Sequence, residues 1–161
     1  MAVQFEQIIE DNKSSILRIC KIYAVSPNEP EDLFQEVIYQ IWRSLDKFQG
    51  NSSVGTWVYR IALNVCIRSK MKQSKDAEKV SLNAVSFSLA AETDTSDDEK
   101  YRLLKQCISQ LNEADQSLII LYLEALPYAE MAAVLGITEN HVAVKMKRIR
   151  KKLFDCMTQM N

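Results

Sequence analysis

Apolar positions recur along most of the chain at spacings of three and four, the rhythm of helices that bury one face. Residues 3–24 carry it through Phe5, Ile8, Ile9, Ile16, Ile19, Cys20 and Tyr23, and Ser26-Pro27-Asn28 breaks it. Pro30 opens the next run, in a first turn where its missing N–H costs nothing. Glu31 and Asp32 share that turn, where carboxylates meet the positive end of the helix. Leu33, Phe34, Val37, Ile38, Ile41, Trp42 and Leu45 then form one apolar stripe. Gln49-Gly50-Asn51-Ser52-Ser53 is rich in turn residues, and Trp57 to Met71 is helical again through Trp57, Ile61, Val65 and Arg68. Over 73–98 the period vanishes into Ser, Thr and Asp. That predicts a flexible linker with a short docked segment around Phe87 and Leu89. The rhythm returns with Tyr101, Leu104, Cys107, Ile108 and Leu111, and predicts helices over 99–111, 114–124, 128–135 and 139–156.

Composition sharpens this picture. Three Gly and three Pro in 161 residues leave too little punctuation for a sandwich, a barrel or a dinucleotide-binding sheet. The expected fold is therefore all-α: two small helical domains, 1–72 and 99–161, joined by an acidic linker over 73–98. A hydrophobic content of 47% excludes global disorder. No apolar run approaches the roughly 18 residues of a membrane span, and the amphipathic, acidic start is not a secretory signal. A cytoplasmic protein that does not insert into membranes is expected. The cysteines stand at 20, 66, 107 and 156 with no CxxC pair, and the single His is His141. Neither a zinc site nor a disulfide framework is expected, and the four cysteines read as reduced, mostly core residues. The scattered residues form no set of nucleophile, base and metal ligands, so no catalytic residue, cofactor or small-molecule substrate is expected.

The net charge of −1 hides a strong local asymmetry. Between Asn28 and Asp46 five acids face Arg43, net −4, whereas between Trp57 and Lys72 four bases face no acid, net +4. The stretch from Gln73 to Lys100 is net −4. From Thr138 onward Lys145, Lys147, Arg148, Arg150, Lys151 and Lys152 face only Glu139 and Asp155, net +4. Two basic blocks separated by acid suit two local nucleic-acid contacts, assisted by a partner, better than non-specific polyanion binding.

The sharpest motif runs from Pro127 to Val142 and reads as a helix-turn-helix. Ala132 is small where two helices would cross closely, Gly136 tolerates the positive φ of a short turn, and Val142 packs the second helix back. Thr138 is a candidate N-cap. The second helix buries Val142, Met146, Ile149 and Leu153 and presents Asn140, His141, Lys145, Arg148 and Lys152 outward, as a helix lying in a major groove requires. Phe48, Trp57 and Tyr59 are individually better read as core. Beside the basic stretch Arg60–Lys72 they also suit an opened single strand, which is held by stacking and backbone-tracking charge. The residues alone leave that choice open.

Three blocks carry a resemblance. Glu31-Asp-Leu-Phe-Gln-Glu-Val-Ile-Tyr-Gln-Ile-Trp42 is similar to EDLxQExFxxxW. Phe48-Gln-Gly-Asn-Ser-Ser-Val-Gly-Thr-Trp-Val-Tyr-Arg-Ile-Ala-Leu-Asn64 is similar to FRGxSSFxTWLYxIAxN, and Tyr128 to Leu153 to YxEIAxxLGxxxxxVKxRxxRxRKxL. In this order they resemble the bacterial RNA polymerase sigma factors of the extracytoplasmic-function group, which keep regions 2 and 4 of the sigma-70 family. The resemblance implies a transcription initiation factor that is not an enzyme. It would bind core RNA polymerase through Asp32, Gln35 and Glu36. It would recognise and melt the promoter −10 element through Phe48, Asn51, Ser52, Ser53, Trp57, Arg60, Asn64 and Arg68. It would read the −35 element through Thr138, Asn140, His141, Ala143, Val144, Lys145 and Arg148. An anti-sigma factor is the further partner it implies. The chain departs from the family pattern at His141-Val142-Ala143-Val144-Lys145, where Thr-Val-Lys-Ser-Arg is frequent, and at Leu111-Asn112, where Leu-Pro is common. The alternative is a stand-alone helix-turn-helix regulator, which would bind duplex DNA without polymerase.

Overall fold

The computed structural model describes residues 2–24, 29–79 and 96–159, with side chains over 4–24, 29–72 and 99–159. Among these there are seven α-helices and no strand, as the low Gly and Pro content predicts. They are α1 (Ala2–Tyr23), α2 (Pro30–Ser44), α3 (Val54–Lys79), α4 (Ser96–Ser109), α5 (Glu113–Leu123), α6 (Tyr128–Leu135) and α7 (Glu139–Gln159). A single 3-10 turn, Leu45–Lys47, continues α2. The chain forms two compact units, Met1–Val85 and Ser86–Asn161. The expected break at Ser26-Pro27-Asn28 and the middle of the expected linker, 80–95, lie outside the described residues. The edges of that linker are helical, since α3 runs to Lys79 and α4 starts at Ser96.

In the first unit α1, α2 and α3 pack pairwise. The stripe on α2 is narrower than its apolar residues suggest. Leu33, Val37, Ile41 and Leu45 are buried at intervals of four, while Trp42 is 53% exposed with its ring edge against Phe5, centroids 5.2 Å apart. Opposite them Ile16, Ile19 and Cys20 of α1 and Val58, Ala62 and Cys66 of α3 are fully enclosed. The Cys20 and Cys66 sulfurs lie 4.0 Å apart, and both residues are free thiols. The hydrogen bond with Cys20 and the burial of the pair push the Cys66 thiol up, which keeps it protonated and unreactive near neutrality.

In the second unit α5 is the axis. Its residues 115–121 are all buried, so it is enclosed on every side, as a central core helix must be. Asn112, at the family's Leu-Pro position, caps α5: its Oδ1 accepts from the Asp115 N–H at 2.9 Å. Gln116 Nε2 donates to the Leu111 carbonyl at 2.9 Å and closes the α4–α5 turn. The expectation of four reduced cysteines is corrected here. Cys107 of α4 and Cys156 of α7 form a disulfide, with Cα atoms 6.0 Å apart. The packing of α4 on α7 brings together two residues 49 positions apart, which spacing along the chain does not reveal.

Candidate nucleic-acid interface

The helix-turn-helix is built from its caps outward. Gly136 takes φ 71° at the end of α6, where its N–H reaches the Ala132 carbonyl at 2.8 Å. Open space surrounds the position of a Cβ there, so the demand for glycine comes from the backbone alone. Thr138 Oγ1 accepts from the His141 N–H at 3.1 Å and starts α7 as its N-cap. Val142, Met146, Ile149 and Leu153 form the buried seam of α7, the four residues the sequence assigns to it. Asn140, His141, Val144, Lys147 and Arg148 are exposed.

Two expected contact residues are placed differently. Ala143 is half-buried. Lys145 is turned toward α5, its side chain 26% exposed and its Nζ 3.6 Å from Asp115 Oδ1. Lys152 reaches the other oxygen of the same carboxylate at 3.9 Å. Asp115 is 6% exposed, and a carboxylate at that depth needs such partners. The sequence shows Asp115 only as an acid in the first turn of α5 and gives no sign of its partners on α7. Lys147, part of the basic block but not among the residues the resemblance assigns to the −35 element, is exposed, and helical spacing places it beside Val144 and Arg148.

In the first unit the expected −10 residues fall into a loop and a helix face. Phe48 stacks at a tilt on Trp57, centroids 4.8 Å apart, and closes the loop onto the head of α3. Ser53 Oγ accepts from the Thr56 N–H at 3.1 Å and donates to Thr56 Oγ1 at 3.0 Å, so this serine caps α3. Asn51 is exposed and Ser52 half-buried. Along α3, Arg60, Asn64, Arg68 and Lys72 are exposed at intervals of four, one polar, basic row on a single face. On α2, Asp32, Gln35 and Glu36 are exposed, opposite the buried stripe, and Glu36 accepts from Gln40 at 3.0 Å. Asp32 and Glu36 share a groove of about 400 Å³ with Arg68 and Lys72, while Gln35 lies outside its lining. Two acids expected to meet polymerase, Asp32 and Glu36, therefore share one groove with Arg68, one of the two bases expected to meet the −10 element. Among the described residues no group of three or more His, Cys, Asp or Glu is placed to hold a metal ion. No described helix is long and apolar enough to cross a membrane.

A three-helix unit with a basic helix row and a four-helix unit ending in a capped helix-turn-helix define a two-module DNA-binding architecture. Comparison with known proteins gives it a family. The Sigma-70 region 2 model matches residues 8–76, and the Sigma-70, region 4 model matches residues 101–153. The ECF RNA polymerase sigma factor SigW of Bacillus subtilis is 26% identical, over 92% of this chain and 86% of its own length. The ECF RNA polymerase sigma-E factor of Escherichia coli is 24% identical, over 92% and 84%. Among solved structures, CnrH in complex with the cytosolic domain of CnrY shares the fold with a TM-score of 0.73 and 17% identity, over 100% of this chain and 92% of that one. The sigma factor RpoE of Bartonella quintana, in complex with the anti-sigma factor NepR, does so at 0.68 and 18%, over 96% and 97%. The chain belongs to the sigma-70 family, in its extracytoplasmic-function group. Membership implies promoter-specific initiation of transcription together with RNA polymerase.

Proposed function

We propose that the protein binds core RNA polymerase through the exposed face of α2, with Asp32, Gln35 and Glu36, and directs it to promoters carrying its own −10 and −35 elements. In this reading residues 1–72 serve as region 2 and residues 99–161 as region 4. The loop 48–53 and the head of α3 receive an unpaired base of the −10 element. Arg60, Asn64 and Arg68 follow the opened strand along α3. Opening a base costs a few kcal/mol, and stacking in a pocket returns roughly 1–3 kcal/mol of it. α7 lies in the major groove of the −35 element, with Asn140, His141, Val144 and Arg148 toward the bases and Thr138 and Lys145 positioning the helix.

Each module offers few contacts, and the acids of α2 oppose phosphate, so the free protein binds DNA weakly. Held on polymerase, the second contact becomes effectively intramolecular. Bond formation between nucleotides belongs to the polymerase. RpoE is found in complex with the anti-sigma factor NepR, and CnrH in complex with the cytosolic domain of CnrY; by analogy with the RpoE complex this protein is restrained by an anti-sigma factor.

The observation that carries the reading is the pairing, on one chain and in family order, of the Arg60–Asn64–Arg68 row with the capped helix-turn-helix. Run-off transcription with core polymerase and a library of genomic fragments tests it. Discrete start sites that depend on the added protein are expected. Duplex binding without polymerase, and no new start sites, would replace the reading with a stand-alone regulator.

A further inference from the structure

Val144 lies outside the buried seam of α7. At about 100° per residue the four seam residues of α7 point within about 60° of one another, and Val144 points about 170° from their mean direction. It is 54% exposed. Asn140 stands one turn before it and Arg148 one turn after it, with His141 and Lys147 to either side, all exposed. A β-branched apolar residue here lowers helix propensity and leaves apolar surface in water at the centre of a polar, basic face. Phe154 is the other large apolar residue exposed on α7, near its far end. Lys145, the nearest base in sequence, is held back by Asp115 at 3.6 Å.

The major groove offers one apolar feature among hydrogen-bonding edges, the C5-methyl of thymine. We propose that Val144 packs against a thymine methyl at the centre of the −35 element, so that this chain selects thymine there by apolar contact. The inference rests on the reading of α7 as the −35 helix and adds the chemistry of its central contact. Asn140 and Arg148 flank that contact with side chains suited to adenine and guanine edges respectively.

The test uses the full chain bound to core polymerase. A promoter with a randomised −35 region first yields the preferred element. Each thymine in it is then replaced singly by deoxyuridine, which removes only the methyl. The wild type is expected to lose about three- to tenfold in affinity at one position, the worth of one buried methyl. Val144→Ala, on the solvent face and compatible with the helix, is expected to bind the thymine duplex more weakly and to be indifferent to deoxyuridine at that position. Arg148→Ala should stay sensitive to it. A selected element without thymine, or Val144→Ala as sensitive as wild type at every position, overturns the proposal. If no −35 sequence is selected and Arg148→Ala changes nothing, the reading of α7 itself fails, and the proposal with it.

Discussion

Asp115 shows what a single buried carboxylate does for the second helix of a helix-turn-helix. It sits on the first turn of α5, its backbone N–H held by Asn112, and its two oxygens face Lys145 and Lys152 of α7. Two lysines of α7 thereby face the core while Arg148 stays exposed. The basic residues of α7 should consequently separate by experiment. Lys145→Ala is expected to lower stability by about 1 kcal/mol or less, because its side chain is partly in solvent and the pair is screened. Thermal melts at low and high salt check this, and the difference between variant and wild type should shrink as salt rises. Arg148→Ala is expected to leave the melt unchanged, to weaken −35 binding, and to reduce the salt slope of holoenzyme binding by about 1. Gly136 supplies a second contrast. Its φ is 71° and nothing crowds its Cα, so Gly136→Ala should cost about 1–2 kcal/mol in a melt, with Gly136→Asn costing less. The cap and the glycine were legible in the sequence because their chemistry is local. The Lys145–Asp115 pair was not, because its partners meet only once α5 and α7 pack.

The helices themselves were legible to different depths. α5, α6 and α7 begin within a residue of the expected positions, since Asn112, Pro127 and Thr138 punctuate their starts. The far end of α3, at Lys79, lies beyond Met71, where the apolar rhythm stops. Gln73 to Lys79 carries no apolar stripe, yet its Gln, Lys, Ala and Glu residues extend an existing helix at little cost. Trp42 belongs to the apolar stripe of α2 by sequence yet is half exposed, because the buried positions there repeat strictly every fourth residue and Trp42 falls beside them. The Cys107–Cys156 bond belongs to this scale, since it joins two helices. Its removal in Cys156→Ser should cost about 2–4 kcal/mol, the usual range for a closed loop of that order. A direct check is alkylation of the unreduced, denatured chain. Two labels are expected, on Cys20 and Cys66, rising to four after reduction. Four labels without reduction would show that the bond does not form.

At the scale of the whole molecule, the order of the modules counts for more than any one contact. The first unit offers an acidic helix face and a basic row, with Asp32 and Glu36 sharing a groove with Arg68 and Lys72, and the second a capped helix with a polar, basic outer face. Neither surface alone distinguishes a sigma factor from other DNA-binding proteins. Both together, matched over residues 8–76 and 101–153 by the two sigma region models, place the chain in its family. Dependence on polymerase is the property that separates this account from a stand-alone regulator. The most direct measurement is therefore a titration of the fluorescently labelled full chain with bacterial core RNA polymerase, alongside the double variant Asp32→Ala, Gln35→Ala. The account predicts saturable binding by the wild type, and a variant that keeps its helical circular dichroism but binds about tenfold or more weakly, a loss of about 1.4 kcal/mol or more. Equal affinity of the two would contradict the placement of the polymerase contact on α2. No binding by the wild type, with duplex DNA still bound, would contradict the central claim.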